Sequence, residues 1–234
     1  MCGRYDLHTS VHELLRLLRA RLGSAAPPSH NITPTRTVTA VREPQPGERE
    51  VVALRWGLVP AWSKGPDSRY SMINARAETL ASKPAYRSAF RARRCLIPAD
   101  GFYEWRRQAS GKQPWYVTVD GTPGPFLMAG LWERWRQPEG EPLESCAIVT
   151  TEANAAVREI HERMPVILDL AAVERWLDPA LQDPEALSAI LQRPVPAERI
   201  RAWPVSTRVN SPTNDDPECA APLAEAPPGA ERSP

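Results

Sequence analysis

The residue of this chain with the most unusual chemical prospects is Cys2. Methionine aminopeptidase removes Met1 when the residue behind it is small, and cysteine qualifies. The product would carry a free α-amine beside a thiol, groups that titrate at roughly pH 8 and about pH 8.5 in model peptides. No other genetically encoded position offers that 1,2-aminothiol. The amine can condense with an aldehyde to an imine, and the thiol can then close a five-membered thiazolidine. Alternatively, the thiolate alone can serve as an acyl-transfer nucleophile with the α-amine as its base. A cysteine that merely happens to follow the initiator is the plain alternative.

Three further places carry polar groups inside otherwise structural sequence. In Ile73-Asn74-Ala75-Arg76-Ala77-Glu78, Asn74 can hold a backbone terminus with paired donor and acceptor, and Arg76 can grip a phosphate as a fork. Turn chemistry for Asn74 and a salt link between Arg76 and Glu78 fit equally well. In Pro98-Ala99-Asp100-Gly101-Phe102-Tyr103-Glu104-Trp105, a carboxylate stands among aromatics, where a raised pKa would suit acid–base work. An exposed Glu104 on an alternating strand is the structural reading. In Glu159-Ile160-His161-Glu162-Arg163-Met164-Pro165, His161 falls where a helix ends, a place that favours imidazolium. A capping histidine is the alternative, and the triplet His161-Glu162-Arg163 forms no metal motif. Trp62, between a proline-containing segment and Ser63-Lys64-Gly65, is expected at the surface, where it could stack on an unpaired base. Trp56 is expected in the core.

These side chains need a scaffold, and the sequence predicts one mixed α+β domain with a β-rich centre, a curved sheet or partial barrel flanked by helices. Ser10-Val11-His12-Glu13 reads as a capping box, and Leu14, Leu15, Leu17, Leu18 and Leu22 follow at helical spacing up to Gly23. Pro27-Pro28 opens an irregular stretch through Pro34. Strands are expected at Thr37–Val41, Val51–Trp56, Arg94–Ile97, Trp115–Val119, Phe126–Leu131 and Ser145–Thr150. Glu43–Arg49, Ser110–Gln113 and Gln137–Pro142 have the composition of hairpin loops. A helix should start at Thr151 or Glu152 and end before His161. A strand at Met164–Leu168, helices near 170–177 and 184–191, and a last strand at Arg201–Ser206 complete the order. The domain is expected to span 2–211, and 212–234 reads as a disordered acidic, proline-rich tail.

Composition limits the function classes. Among 234 residues, 42% are hydrophobic and 24% charged, which is ordinary for a globular protein. No apolar run approaches the roughly 20 residues of a membrane helix, and no apolar stretch follows Arg4 as in a signal peptide. Cytoplasmic residence with reduced thiols is the expectation. Cys2, Cys95, Cys146 and Cys219 form no C-x-x-C pair, so they do not suggest a zinc site. The net charge is only +1. Its distribution is uneven, with Lys83, Arg87, Arg91, Arg93, Arg94, Arg106, Arg107 and Lys112 opposed only by Asp100 and Glu104. Such a block could follow a phosphate backbone, or be a solvated arginine-rich face.

Read together and in order, the motifs resemble one family. They are Met1-Cys2-Gly3-Arg4, Asn31-Ile32-Thr33-Pro34-Thr35, Trp56-Gly57-Leu58-Val59-Pro60-Ala61-Trp62, Asn74-Ala75-Arg76-Ala77-Glu78-Thr79, the Arg94–Trp105 run, Gly130-Leu131-Trp132-Glu133 and the His161–Leu168 run. This pattern, over residues 2–211, resembles the SOS response-associated peptidases. The resemblance implies a β-rich α+β fold that binds single-stranded DNA in a positive groove and forms a thiazolidine crosslink between Cys2 and a ring-opened abasic site. It implies that Asn74 positions the Cys2 backbone and that Glu104 and His161 move protons. Arg4, Arg76 and Arg163 would lie along the DNA, with Trp62 stacking on a base. It implies a monomer, nucleoid-associated when bound to DNA, with no membrane partner and no metal or organic cofactor. Ser63 departs from members that carry a second aromatic there, which weakens the stacking assignment. An N-terminal-nucleophile autopeptidase at Cys2 is the alternative that the family name suggests.

Overall fold

A computed structural model of the protein describes residues 2–66, 72–109, 111–193 and 195–223. The apolar runs become strands, most of them paired antiparallel. In chain order the elements are β1 (Tyr5–Leu7), α1 (Val11–Leu18), β2 (Arg21–Leu22), β3 (Ser29–Ile32), β4 (Thr37–Arg42), β5 (Glu50–Trp56), β6 (Asn74–Arg76), α2 (Arg87–Ala92), β7 (Arg94–Ala99), β8 (Gly101–Gln108), β9 (Gly111–Val119), β10 (Phe126–Trp135), β11 (Leu143–Glu152), α3 (Ala155–Arg158), β12 (Arg163–Pro165), β13 (Ile167–Leu168), α4 (Leu170–Leu177), α5 (Pro184–Leu191) and β14 (Ile200–Pro204). No helix among the described residues is long and apolar enough to cross a membrane.

The expected curved sheet closes on itself. β10 lies between β7 and β11, β7 touches β4 at Val41↔Leu96, and β4 forms a hairpin with β5. β5 then returns to β11 in parallel, through Ser145↔Arg55 and Cys146↔Trp56. The ring β11–β10–β7–β4–β5 is therefore a barrel, which leaves no free edge within it. Because side chains alternate along a strand, one set of residues fills the inside and the other the outside. Val38, Ala40, Val52, Leu54, Trp56, Cys95, Ile97, Met128, Cys146 and Ile148 belong to one core cluster. Their neighbours Val41, Val51, Leu96, Leu127, Ala129, Leu131, Ala147 and Val149 join a second, with Phe90, Trp176 and Leu187 from α2, α4 and α5. A second sheet, in the order β14-β9-β8-β1-β3, packs Tyr5, Phe102 and Val117 into the first cluster.

Several boundaries differ from expectation, each for a local reason. The first helix stops at Leu18 because Arg19 adopts a left-handed conformation (φ 49°) and its N–H caps Leu15. Leu22, expected in that helix, is then in β2, beside β5, and is 54% exposed. Residues 29–32, expected to be irregular, pair with β1. Gly111–Gln113, expected as loop, begin β9 opposite Arg106–Gln108; Ser110 lies outside the described residues. Thr151 and Glu152 extend β11 opposite Met164 and Arg163, so the helix before His161 is only Ala155–Arg158, capped by the Asn154 side chain.

The tail expected from residue 212 is ordered as far as 223. The Asp215 carboxylate accepts hydrogen bonds from Ser29 Oγ (2.9 Å), His30 N (2.6 Å) and Asn31 N (3.2 Å). Asn31 Nδ2 in turn donates to the carbonyls of Val209, Ser211 and Asn214. Cys219 is fully buried against Tyr103, Tyr116, Val205 and Val209. Residues 224–234 lie outside the described residues.

Candidate active site

Asn74, Glu104 and His161 are each placed by a different strand or helix end. Asn74 opens β6, which is held in parallel register on β11 by Ile148↔Asn74 and Val149↔Ala75. The preceding carbonyl, Ile73 O, is doubly bound by Ile148 N (2.9 Å) and Trp56 Nε1 (3.0 Å), and Tyr86 Oη donates to Asn74 O (3.1 Å). With its backbone fixed, the Asn74 side chain reaches across to the N-terminus, and its Nδ2 donates to Cys2 O at 2.9 Å. Asn74 Oδ1 is buried and has no hydrogen-bond partner among the described residues. Trp56 is fully buried, as expected.

Glu104 sits on β8, between β9 through Glu104↔Trp115 and the strand that leads from Cys2, to which β8 is joined by Tyr5↔Phe102. It is 3% exposed. Burial pushes its carboxyl above the usual range, and His161, when protonated, works in the opposite direction. Cys2 is fully buried, and its thiol lies well above the ordinary range because of burial first and the Glu104 charge second. Glu104 is thus within electrostatic reach of both Cys2 and His161, and Cys2 is tied to Asn74 by a hydrogen bond.

His161 follows α3, its N–H bound to Val157 O at 2.9 Å. Its Nδ1 accepts from Arg163 N at 3.0 Å, a shorter approach than the 3.3 Å to Arg163 O. That bond assigns the neutral ring's proton to Nε2, leaving Nε2–H as the group able to donate elsewhere.

The expected DNA-facing residues divide. Trp62 is 69% exposed, in a turn closed by Ser63 N on Pro60 O. Arg76 is exposed and, with Glu152, Arg158, Glu162 and Arg163, lines an open concavity of about 430 Å³. Arg163 is 9% exposed; its guanidinium forms a two-pronged pair with Glu78 (2.8 and 3.0 Å) and donates to Thr150 O (2.7 Å), so it braces the wall of that concavity. Arg4 donates to Asn31 Oδ1 (2.7 Å) and Val209 O (2.6 Å), tying the N-terminal segment to the C-terminal one.

The basic block does not form one face. Arg94 is 5% exposed and donates to the carbonyls of Trp176, Phe90, Arg91 and Asp178, so it is a structural brace. Arg93 pairs with Glu133 at 2.7 Å. Arg87 and Arg91 are exposed on α2, whereas Arg106, Arg107 and Lys112 are exposed on the β8–β9 hairpin. Sequence reasoning missed Tyr86, for which no local signal exists, and Arg158, which stands just ahead of the His161 motif.

Residues 1–212 match the family described as SOS response associated peptidase (SRAP). The chain belongs to that family. It is 40% identical over 224 residues to "Abasic site processing protein YoqW" of Bacillus subtilis, an alignment covering 93% of this chain and 98% of that protein. It is 39% identical to "Abasic site processing protein HMCES" of Gallus gallus over 200 residues, 75% of this chain and 58% of the longer relative. Among solved structures, a Bacteroides thetaiotaomicron protein superposes with a TM-score of 0.85 at 25% identity, covering 95% of this chain and all of that one. A Bordetella bronchiseptica protein does so with 0.74 at 28% identity, covering 88% and 100%. SRAP membership fits the β-rich single domain and the motif order on which the site is built.

Proposed function

We propose that this SRAP protein processes abasic sites in single-stranded DNA, forming a thiazolidine crosslink through Cys2 once Met1 has been removed, and so shields the lesion during the DNA damage response. The observation that carries the reading is the bond from Asn74 Nδ2 to Cys2 O, made where the charge of the buried Glu104 carboxyl reaches the Cys2 thiol. The names of the relatives supply the lesion. Arg76 and Arg158, on the open concavity, would hold flanking phosphates, with Arg163 supporting them from behind, and exposed Trp62 would stack on a base. Arg4, committed to Asn31 and Val209, would position the strand that carries Cys2.

The steps balance without an external reagent. The unprotonated α-amine adds to the C1′ aldehyde of the ring-opened sugar, giving a carbinolamine. Loss of its hydroxyl as water requires a proton, for which His161 in its imidazolium form and Glu104 in its carboxylic acid form are the candidates. The iminium carbon then accepts the Cys2 sulfur, the thiol proton passes to a nearby base such as Glu104, and the ring closes. One water is lost overall. Asn74 Oδ1 is an acceptor available to the amine or the carbinolamine hydroxyl.

The test is incubation of the processed protein with uracil-containing single-stranded DNA pretreated with uracil glycosylase. A heat-resistant, slower-migrating band is expected with wild type and not with Cys2→Ser, which keeps the amine but cannot close a thiazolidine. Intact mass must first show loss of Met1. No band from correctly processed wild type would refute the reading, and turnover of peptide or acyl probes that survives in Cys2→Ser would favour the hydrolase alternative.

A further inference from the structure

We infer that Asp6, His8 and His30 form a binding site for one divalent transition-metal ion of the zinc class, separate from the Cys2 centre. Pairing of β1 with β3 brings the three together: their ligand atoms all lie within 4.8 Å of one another. His8 Nδ1 is 2.8 Å from Asp6 Oδ1, and His30 Nδ1 is 3.5 Å from Asp6 Oδ2. Ligands about 2.0–2.1 Å from a tetrahedral ion stand roughly 3.3 Å apart, so small rotations of the two rings would seat a metal between them. The imidazoles are already side by side, with ring centroids 4.9 Å apart.

The surroundings suit a ligand set rather than a plain salt bridge. His30 Nδ1 is buried without a hydrogen-bond partner among the described residues, which is costly unless something binds it. The Asp6 carboxylate is fully buried and its orientation is set by Tyr116 Oη at 3.2 Å, the kind of outer support that metal-bound carboxylates receive. His8 is half exposed. The cluster lines an open cleft of about 730 Å³ with Asp100, Thr118 and Trp203, which leaves a coordination position for water or an anionic oxygen. Two imidazoles and one carboxylate with an open position are a recurrent donor set for zinc and ferrous iron. Asp100 Oδ2 is 3.4 Å from His8 Nδ1 but already accepts from His8 N and Thr9 N, so it stands behind His8 rather than completing the set. Neither the cysteine spacing nor any local motif signals this cluster, because its members come from two separated segments.

The full chain, stripped with chelator, should be titrated with Zn²⁺ by calorimetry and with Co²⁺ by visible absorption. One equivalent is expected, with cobalt bands of a four- or five-coordinate nitrogen–oxygen site lacking thiolate charge transfer. His8→Ala and His30→Ala should each weaken binding at least tenfold, and Cys2→Ser should leave it unchanged. Zn²⁺ should raise the melting temperature of wild type and not of either histidine variant. Should a variant fold poorly, the conservative His8→Gln supplies the same comparison. Equal stoichiometry and affinity in wild type and the histidine variants, thiolate bands, or no saturable binding would each overturn the site and leave an imidazole–carboxylate clamp only.

Discussion

Asn74→Ala offers a sharp test of how the N-terminus is held. The substitution removes the Nδ2 donor 2.9 Å from Cys2 O but leaves the backbone of residue 74, which is fixed by β11 and by Tyr86 Oη. A lost partner at a buried acceptor costs about 1–3 kcal/mol. If that energy serves to keep the Cys2 amine in its attacking position, the crosslinking rate constant should fall roughly 5- to 150-fold, at ~1.4 kcal/mol per factor of ten. Non-covalent affinity for intact single strands should stay within about twofold, because Asn74 is expected to touch no phosphate. The assay is single-turnover crosslinking to an abasic oligonucleotide, read on denaturing gels, beside fluorescence anisotropy with an undamaged strand. Asn74→Gln, which keeps the amide one methylene further out, should recover part of the rate. A rate within twofold of wild type in Asn74→Ala, with the melting temperature lowered, would reduce Asn74 to a structural residue and refute the positioning argument.

Other perturbations separate stability from chemistry. Glu104 has a raised pKa in the folded state, so the unfolded chain ionises first as pH rises and stability is lost through that interval. Glu104→Gln should therefore unfold at a higher temperature than wild type at pH 7.5 and no higher at pH 4, while crosslinking at least tenfold more slowly; a uniformly less stable variant would contradict this. Trp62→Ala should change the melting temperature by less than about 2 °C, because the side chain is 69% exposed, yet weaken single-strand binding by about 1–3 kcal/mol. Unchanged affinity in a binding titration would remove Trp62 from the interface. Asp215→Ala deprives Ser29, His30 and Asn31 of a shared acceptor and should lower stability by about 1–2 kcal/mol in urea unfolding. No change would mean that 212–223 contributes little to the fold.

What the sequence revealed follows from the range of the interactions involved. The strands of the barrel and helices α4 and α5 are written in local periodicity and capping, as in Asp169 accepting from Ala172 N and Asp183 from Ala186 N. Closure of the barrel is not, because it depends on the parallel contact of β5 with β11, some ninety residues away in the chain. The same distinction governs the misread ends. A left-handed Arg19 has no glycine to announce it, and β3 and the 212–223 segment order each other through Asp215 and Asn31 although neither is apolar enough to predict alone. For the site, the motifs marked Cys2, Asn74, Glu104 and His161. Charge counting failed for Arg94, whose side chain turns inward to bind four carbonyls, a partnership with residues more than eighty positions away in two cases.

The state of the Cys2 thiol bears on the order of the chemical steps. A hydrolase needs a thiolate, and reactive cysteines lie in electropositive, partly exposed surroundings. Here burial and the neighbouring Glu104 charge both push the thiol above its ordinary range, the reverse of activation for acyl transfer. An aldehyde does not require that activation, because the α-amine can attack first and the resulting iminium is a far better electrophile for a neutral thiol. The amine-first order makes a separable prediction. Cys2→Ala still allows removal of Met1 and retains an α-amine, so it should form a reversible imine with abasic DNA. Borohydride present during incubation should reduce that imine to a stable secondary amine, visible as a shifted band, whereas without borohydride the variant should yield none. If processed Cys2→Ala gives no trapped adduct while wild type crosslinks normally, the sulfur attacks first and the buried thiol must be activated by the DNA itself.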